Sequence, residues 1–149
     1  MGIRRQAREL ALQVLYQMDF NRMTPEKAFD LVCRCFEAPR EPRAFAKLLV
    51  EGVCLHRDAI DERLADASEN WRVERMSPVD RNILRIALYE MFHRDDIPPR
   101  VSINEAIELA KRFGTEDSRA FVNGVLDRLY QMKQQEKQAE QVPPADRLG

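Results

Sequence analysis

The stretch NILRIALYEMF, residues 82–92, carries Ile83, Leu84, Ile86, Ala87, Leu88, Met91 and Phe92 around most of a helical cylinder rather than along one stripe. A helix apolar on so many sides has no face to leave in water, so other helices must pack around it. It follows Ser77-Pro78-Val79-Asp80, a helix start with a hydroxyl at the cap, proline at the first helical position and a carboxylate near the positive end of the helix dipole. The rest of the chain has to supply a helical shell.

That shell is legible as apolar periodicity. Ala7, Leu10, Ala11, Val14, Leu15 and Met18 follow the spacing of one helix face. Thr24-Pro25 starts a second helix, with Ala28, Leu31, Val32 and Cys35 on its face, and the APREP stretch at 38–42 ends it. Phe45, Leu48, Leu49, Gly52, Val53, His56, Ile60 and Leu64 predict one helix of about five turns. Gly52 on that face costs about 1 kcal/mol against alanine, which implies close approach of a neighbouring helix. His56 is read as a packing residue.

Ser102-Ile103-Asn104-Glu105 has the form of a capping box, with Ile103, Ala106, Ile107 and Ala110 turned inward and Gly114 as a left-handed stop. The last helix carries Phe121, Val122, Val125, Leu126 and Leu129. No strand-like alternation is present. The expectation is an all-α single domain of six or seven helices over residues 1–132, its core including Leu10, Val14, Leu84, Ala87, Leu88, Ile107, Val125 and Leu126. The polar residues 133–149 are expected to form an unordered tail.

Composition narrows the chemistry. Among 149 residues the net charge is −1, so any nucleic-acid site must be a local patch; the candidate is Arg4, Arg5 and Arg8. Cys33, Cys35 and Cys54 are an odd set without an export signal, which argues against a disulfide framework. Cys33 and Cys35 point about 200° apart on a helix and form no metal-ligand spacing with His56 or His93. No phosphate loop, nucleophile motif or dinucleotide fingerprint occurs, so neither a cofactor, a metal nor catalysis is expected. No apolar run is long enough to cross a bilayer and the N-terminus lacks a continuous hydrophobic segment, so the expected location is the cytoplasm.

The crowded stretch is AKRFGTEDSRAFVNGVLDRL, residues 110–129, which reads as a joint between two helices. Two readings of it stand on the residues alone. Phe113 and Phe121 can stack unpaired bases while Ser118 and Asn123 hydrogen-bond base edges or sugars. Equally, both phenylalanines can be core, with Glu116 and Asp117 as caps.

The stretches RRQARELALQVLYQMD, SPVDRNILRIALYEM and IPPRVSINEAIELAKRFGTEDSRAFVNGVLDRL resemble the NusB family of transcription antitermination factors, and the likeness covers most of residues 4–129. The resemblance implies two small helical bundles and no enzymatic activity. It implies binding to the boxA element of nascent RNA, notably ribosomal RNA leaders, together with a small-subunit ribosomal protein also called NusE, in an antitermination complex with RNA polymerase. Position by position, it assigns RNA binding to Arg4, Arg5, Arg8 and Tyr16, and to Phe113, Gly114, Asp117, Ser118, Phe121 and Asn123. It assigns the NusE-facing surface to Asp80 and Arg85. Gln6 stands where relatives often carry a base, and residues 20–45 match nothing specific. The alternative is a helical scaffold or homodimer without RNA; some NusB-like proteins dimerise.

Overall fold

The computed structural model describes residues 2–68 and 72–141. Among them are seven α-helices and no strand: α1 (Ile3–Asn21), α2 (Pro25–Cys35), α3 (Arg43–Leu55), α4 (Arg57–Ala67), α5 (Pro78–His93), α6 (Pro99–Phe113) and α7 (Ser118–Gln141), with a 3-10 turn at Val73–Arg75. α5 is the axis. Every residue from Asn82 to Met91 is buried, and α1, α3, α4, α6 and α7 all pack against it. α1, α2 and α3 form one small bundle, and α4 to α7 form the second around α5.

The start signals at α2 and α5 work as expected: Thr24 Oγ1 accepts the Lys27 N–H and Ser77 Oγ accepts the Asp80 N–H. Gly52 leaves room for the Tyr89 ring of α5, into which any Cβ would project. In α2 it is Cys33 that is buried and Cys35 that is exposed.

The long helix expected over 45–64 is two helices joined at His56 (φ −104°, ψ 17°). Hydrogen bonding continues through the joint, from the His56 N–H to Gly52 O and from the Ile60 N–H to His56 O. Because the bend keeps Leu49, Val53, Ile60 and Leu64 all buried, periodicity could not reveal it. His56 is the packing residue expected, stacked on His93 at 3.9 Å between ring centroids.

The capping box at 102–105 is not one. α6 starts a turn earlier, at Pro99, where a missing N–H costs nothing. Ser102 is therefore inside the helix, 1% exposed, and its hydroxyl donates to Glu90 Oε1 at 2.8 Å. The buried stripe is Ser102, Ala106, Leu109 and Ala110; Ile107, expected in the core, lies on the flank and is half-buried.

Gly114 is not left-handed either (φ −89°, ψ −173°). Its lack of a side chain matters because a Cβ would collide with the Ser118 side chain and the Ala110 carbonyl.

The polar tail also differs from expectation. Residues 133–141 continue α7, and residues 142–149 lie outside the described residues. The Arg63 guanidinium on α4 pairs with Glu136 at 2.7 Å and lies over the Phe92 ring at 4.0 Å, while Lys133 Nζ approaches the same ring at 5.3 Å. These contacts come from another helix, so local composition does not report them.

Candidate nucleic-acid interface

Arg5, Glu9, Tyr16 and Phe20 lie within about 60° of one another around α1, given roughly 100° per residue. α6 runs alongside. Arg5 donates from Nε and Nη2 to both carboxylate oxygens of Glu105, at 2.9 and 3.0 Å. One turn on, Glu9 accepts from Arg112 Nη1 at 2.6 Å. The two pairings advance in the same direction, by four residues on α1 and seven on α6. The arginine start and the last turn of α6, which opens the 113–123 junction, therefore share one face.

Within this face the residues separate by depth. Arg4 and Arg5 are exposed. Arg4 rests on the Phe45 ring at 4.6 Å and reaches Asp96 at 3.6 Å. Arg8, assigned to RNA from the sequence, is buried at 4% exposure and bound in two-pronged fashion to Glu90, so it is a structural residue. Tyr16 is half-buried, its ring 4.8 Å from that of Phe20, which is 60% exposed.

At the junction, Phe113 and Phe121 are half-buried and packed against the core, with the Arg112 guanidinium 5.4 Å from the Phe113 ring. Ser118 is 1% exposed and its Oγ accepts the Thr115 N–H at 2.9 Å, so it serves the turn and presents nothing to a base. Asp117 is exposed and lines a recess with Phe121, Arg75, Met76, Ser77 and Asp80. Asn123 is exposed but sits two residues from Phe121, about 200° around α7, and so faces away from that recess. The junction is not one surface.

The two residues assigned to the partner also part company. Asp80 borders the recess beside Asp117 and Phe121, and its Oδ1 is buried without a hydrogen-bond partner. Arg85 is 3% exposed and offers no surface to a partner. Its guanidinium holds both carboxylate oxygens of Asp61 at 2.9 Å and the Asn82 side-chain oxygen at 3.1 Å. Asp19, at the end of α1, joins this network through Arg81 at 2.8 Å and Asn82 at 2.9 Å. Burial raises the Asp19 carboxyl, but the hydrogen bonds from Arg81 and Asn82 outweigh it and hold the group below its ordinary value.

Sequence reasoning missed the acids that organise this face. In the sequence Glu105 reads as part of a capping box, and nothing local marks Glu9. Their signal is opposite charge at matching heights on two helices, which needs the packing to be known. Among the described residues no group of three or more His, Cys, Asp or Glu is placed to hold a metal, and no helix is long and apolar enough to cross a membrane.

The sequence profile of the NusB family matches residues 5–131. The transcription antitermination protein NusB of Syntrophus aciditrophicus is 46% identical over 148 residues, covering 99% of this chain and 92% of that one. Its counterpart in Myxococcus xanthus is 51% identical over 133 residues, covering 87% and 95%. Among solved structures, T. maritima NusB superposes with a TM-score of 0.76 at 38% identity, covering 84% of this chain and 88% of that one. A crystal structure of the antitermination factors NusB and NusE in complex with dsRNA gives a TM-score of 0.80 at 28% identity, covering 89% and 98%. The fold, the helix order and the extent of the match agree: the chain belongs to the NusB family, a family of transcription antitermination proteins rather than of enzymes.

Proposed function

We propose that this protein is a cytoplasmic antitermination factor that binds boxA RNA of ribosomal RNA leaders together with NusE, within an antitermination complex on RNA polymerase. The observation that carries this reading is the pairing of Arg5 with Glu105 and of Arg112 with Glu9. It sets the exposed arginine start and the α6–α7 junction along one side of the molecule, as a single RNA track requires. Arg4, Arg5, Lys111 and Arg112 meet phosphates, which position the strand, while Tyr16, Phe20 and the Phe113 end of the track offer rings to unpaired bases.

NusE approaches at the recess containing Asp80. Because Asp117 and Phe121 line the same recess, the partner and RNA surfaces adjoin there rather than standing apart. The relative solved with NusE and dsRNA supports both partners.

A boxA RNA titration with and without NusE tests the proposal. Binding should tighten when NusE is present. A folded protein that binds no RNA in either arm and sediments as a dimer would instead leave the scaffold reading standing.

A further inference from the structure

Four cations line the α1/α6 face, and each meets a carboxylate. Arg4 lies 3.6 Å from Asp96, Arg5 2.9 Å from Glu105, Arg112 2.6 Å from Glu9 and Lys111 3.3 Å from Glu108. Around Arg5, Lys111 and Arg112 the surface proposed to receive RNA phosphates is therefore locally neutral, whereas Asp96 is shared between Arg4 and Arg94. Depth distinguishes the two central pairs: the Arg5 and Arg112 side chains are 43% and 53% exposed, whereas Glu105 and Glu9 are each 17% exposed. The carboxylates lie beneath the guanidiniums and hold them from the protein side. Arg5 commits Nε and Nη2 to Glu105, and its Nη1 hydrogens are not part of that pair.

We infer that Glu9 and Glu105 set the RNA affinity of this face by competing with phosphates for Arg112 and Arg5. The inference rests on the proposed RNA binding. An incoming phosphate meets a cation and an anion within one Debye length, about 8–10 Å at moderate salt, so their fields largely cancel. Counterion release, which rises with the number of phosphates neutralised, is correspondingly small. Such a face binds firmly only when base contacts or a partner add to it. Sequence-independent adhesion to any passing RNA is suppressed.

Glutamine keeps the shape of each acid and an oxygen that can accept from arginine, while removing the charge. The test compares Glu9→Gln/Glu105→Gln with the unaltered protein on boxA RNA and on a scrambled RNA of equal length, by fluorescence anisotropy across a salt series. Both RNAs should bind the double variant about tenfold more tightly near 0.1 M salt. The slope of log affinity against log salt should steepen by up to about 1.4, given roughly 0.7 per phosphate contact for single strands. Glu136→Gln, which removes the same charge beside Arg63 on the α4/α7 side, should leave binding unchanged. Should the double variant not fold, each single variant carries the same expectation with about half the change in slope.

Unchanged or weaker binding by a variant with a native melting curve overturns the inference while leaving the proposed function intact. A gain confined to boxA RNA also overturns it, because the acids would then be contacting bases. RNA binding by neither protein, with NusE added as well as without it, overturns the inference and the proposed function together.

Discussion

Arg8 and Glu90 form a two-pronged ion pair inside the protein, Nε to Oε2 at 2.7 Å and Nη2 to Oε1 at 2.8 Å, with side chains 4% and 1% exposed. Ser102 donates to the same carboxylate, so α1, α5 and α6 meet on one acid. The arginine start is thereby divided into one buried anchor, Arg8, and two exposed residues, Arg4 and Arg5. Glu90→Ala leaves a buried guanidinium unpaired and should cost about 3–5 kcal/mol in urea unfolding. A loss below about 1 kcal/mol would mean that water reaches Arg8 and that it is not an anchor.

Leu88 and Ile107 make a matched pair for the core. Leu88 is fully buried on α5, so Leu88→Ala should cost about 2–5 kcal/mol. Ile107 is half-buried on the flank of α6, so Ile107→Ala should cost less than half of that. Equal losses by chemical denaturation would contradict the buried stripe seen on α6.

Two glycines should respond in opposite directions. At Gly114 a methyl group meets Ser118 and the Ala110 carbonyl, so Gly114→Ala should lower the melting temperature. Gly124 lies within α7 with open space where a Cβ would project, and Gly124→Ala should stabilise by up to about 1 kcal/mol through helix propensity. A stabilising Gly114→Ala would show that the 114–118 turn relaxes freely.

The His56–His93 stack at the α3–α4 joint gives a pH dependence of definite sign. Burial, then the nearby His56 and Arg63, lower the affinity of His93 for a proton in the folded state. The unfolded chain, protonating near pH 6.5, binds protons more readily, so stability is retained above that value and declines as pH falls through it toward the lowered folded value. Melting curves at about pH 7.5 and about pH 5.5 should therefore differ less for His93→Gln than for the unaltered protein. The low value of Asp19 acts elsewhere: its contribution is present above the ordinary carboxylate range near pH 4 and is lost in stronger acid. An unchanged pH response in His93→Gln would remove the imidazole stack as its source.

What was legible in the sequence follows from what local pattern can encode. Helix α5 was readable as the axis because burial on every side appears as apolar residues at every angle. The Thr24 and Ser77 caps were readable because a cap is made within four residues. The bend at His56 was not, since it preserves the buried face, and the start of α6 was misplaced because Ser102 answers to Glu90 rather than to its own helix. For the site, Arg4 and Arg5 are exposed, as the proposed RNA patch requires. Arg8, Arg85 and Ser118 were not distinguishable from surface groups, because their partners Glu90, Asp61 and Thr115 are fixed only by the packed fold or by the turn itself. Charge on a helix reads as solvated until the opposing helix is known.

Arg4 and Arg5 are proposed to hold RNA phosphates on the face shared with α6. The most direct test is the salt dependence of RNA binding by Arg4→Ala/Arg5→Ala, with a melting curve as the folding control. Both boxA RNA and scrambled RNA should be weakened by the same factor, and the slope of log affinity against log salt should flatten by about 0.7 for the contact of Arg4, with less lost at Arg5 because Glu105 already offsets its charge. A folded double variant that binds both RNAs with unaltered affinity and slope would place the RNA elsewhere on the protein.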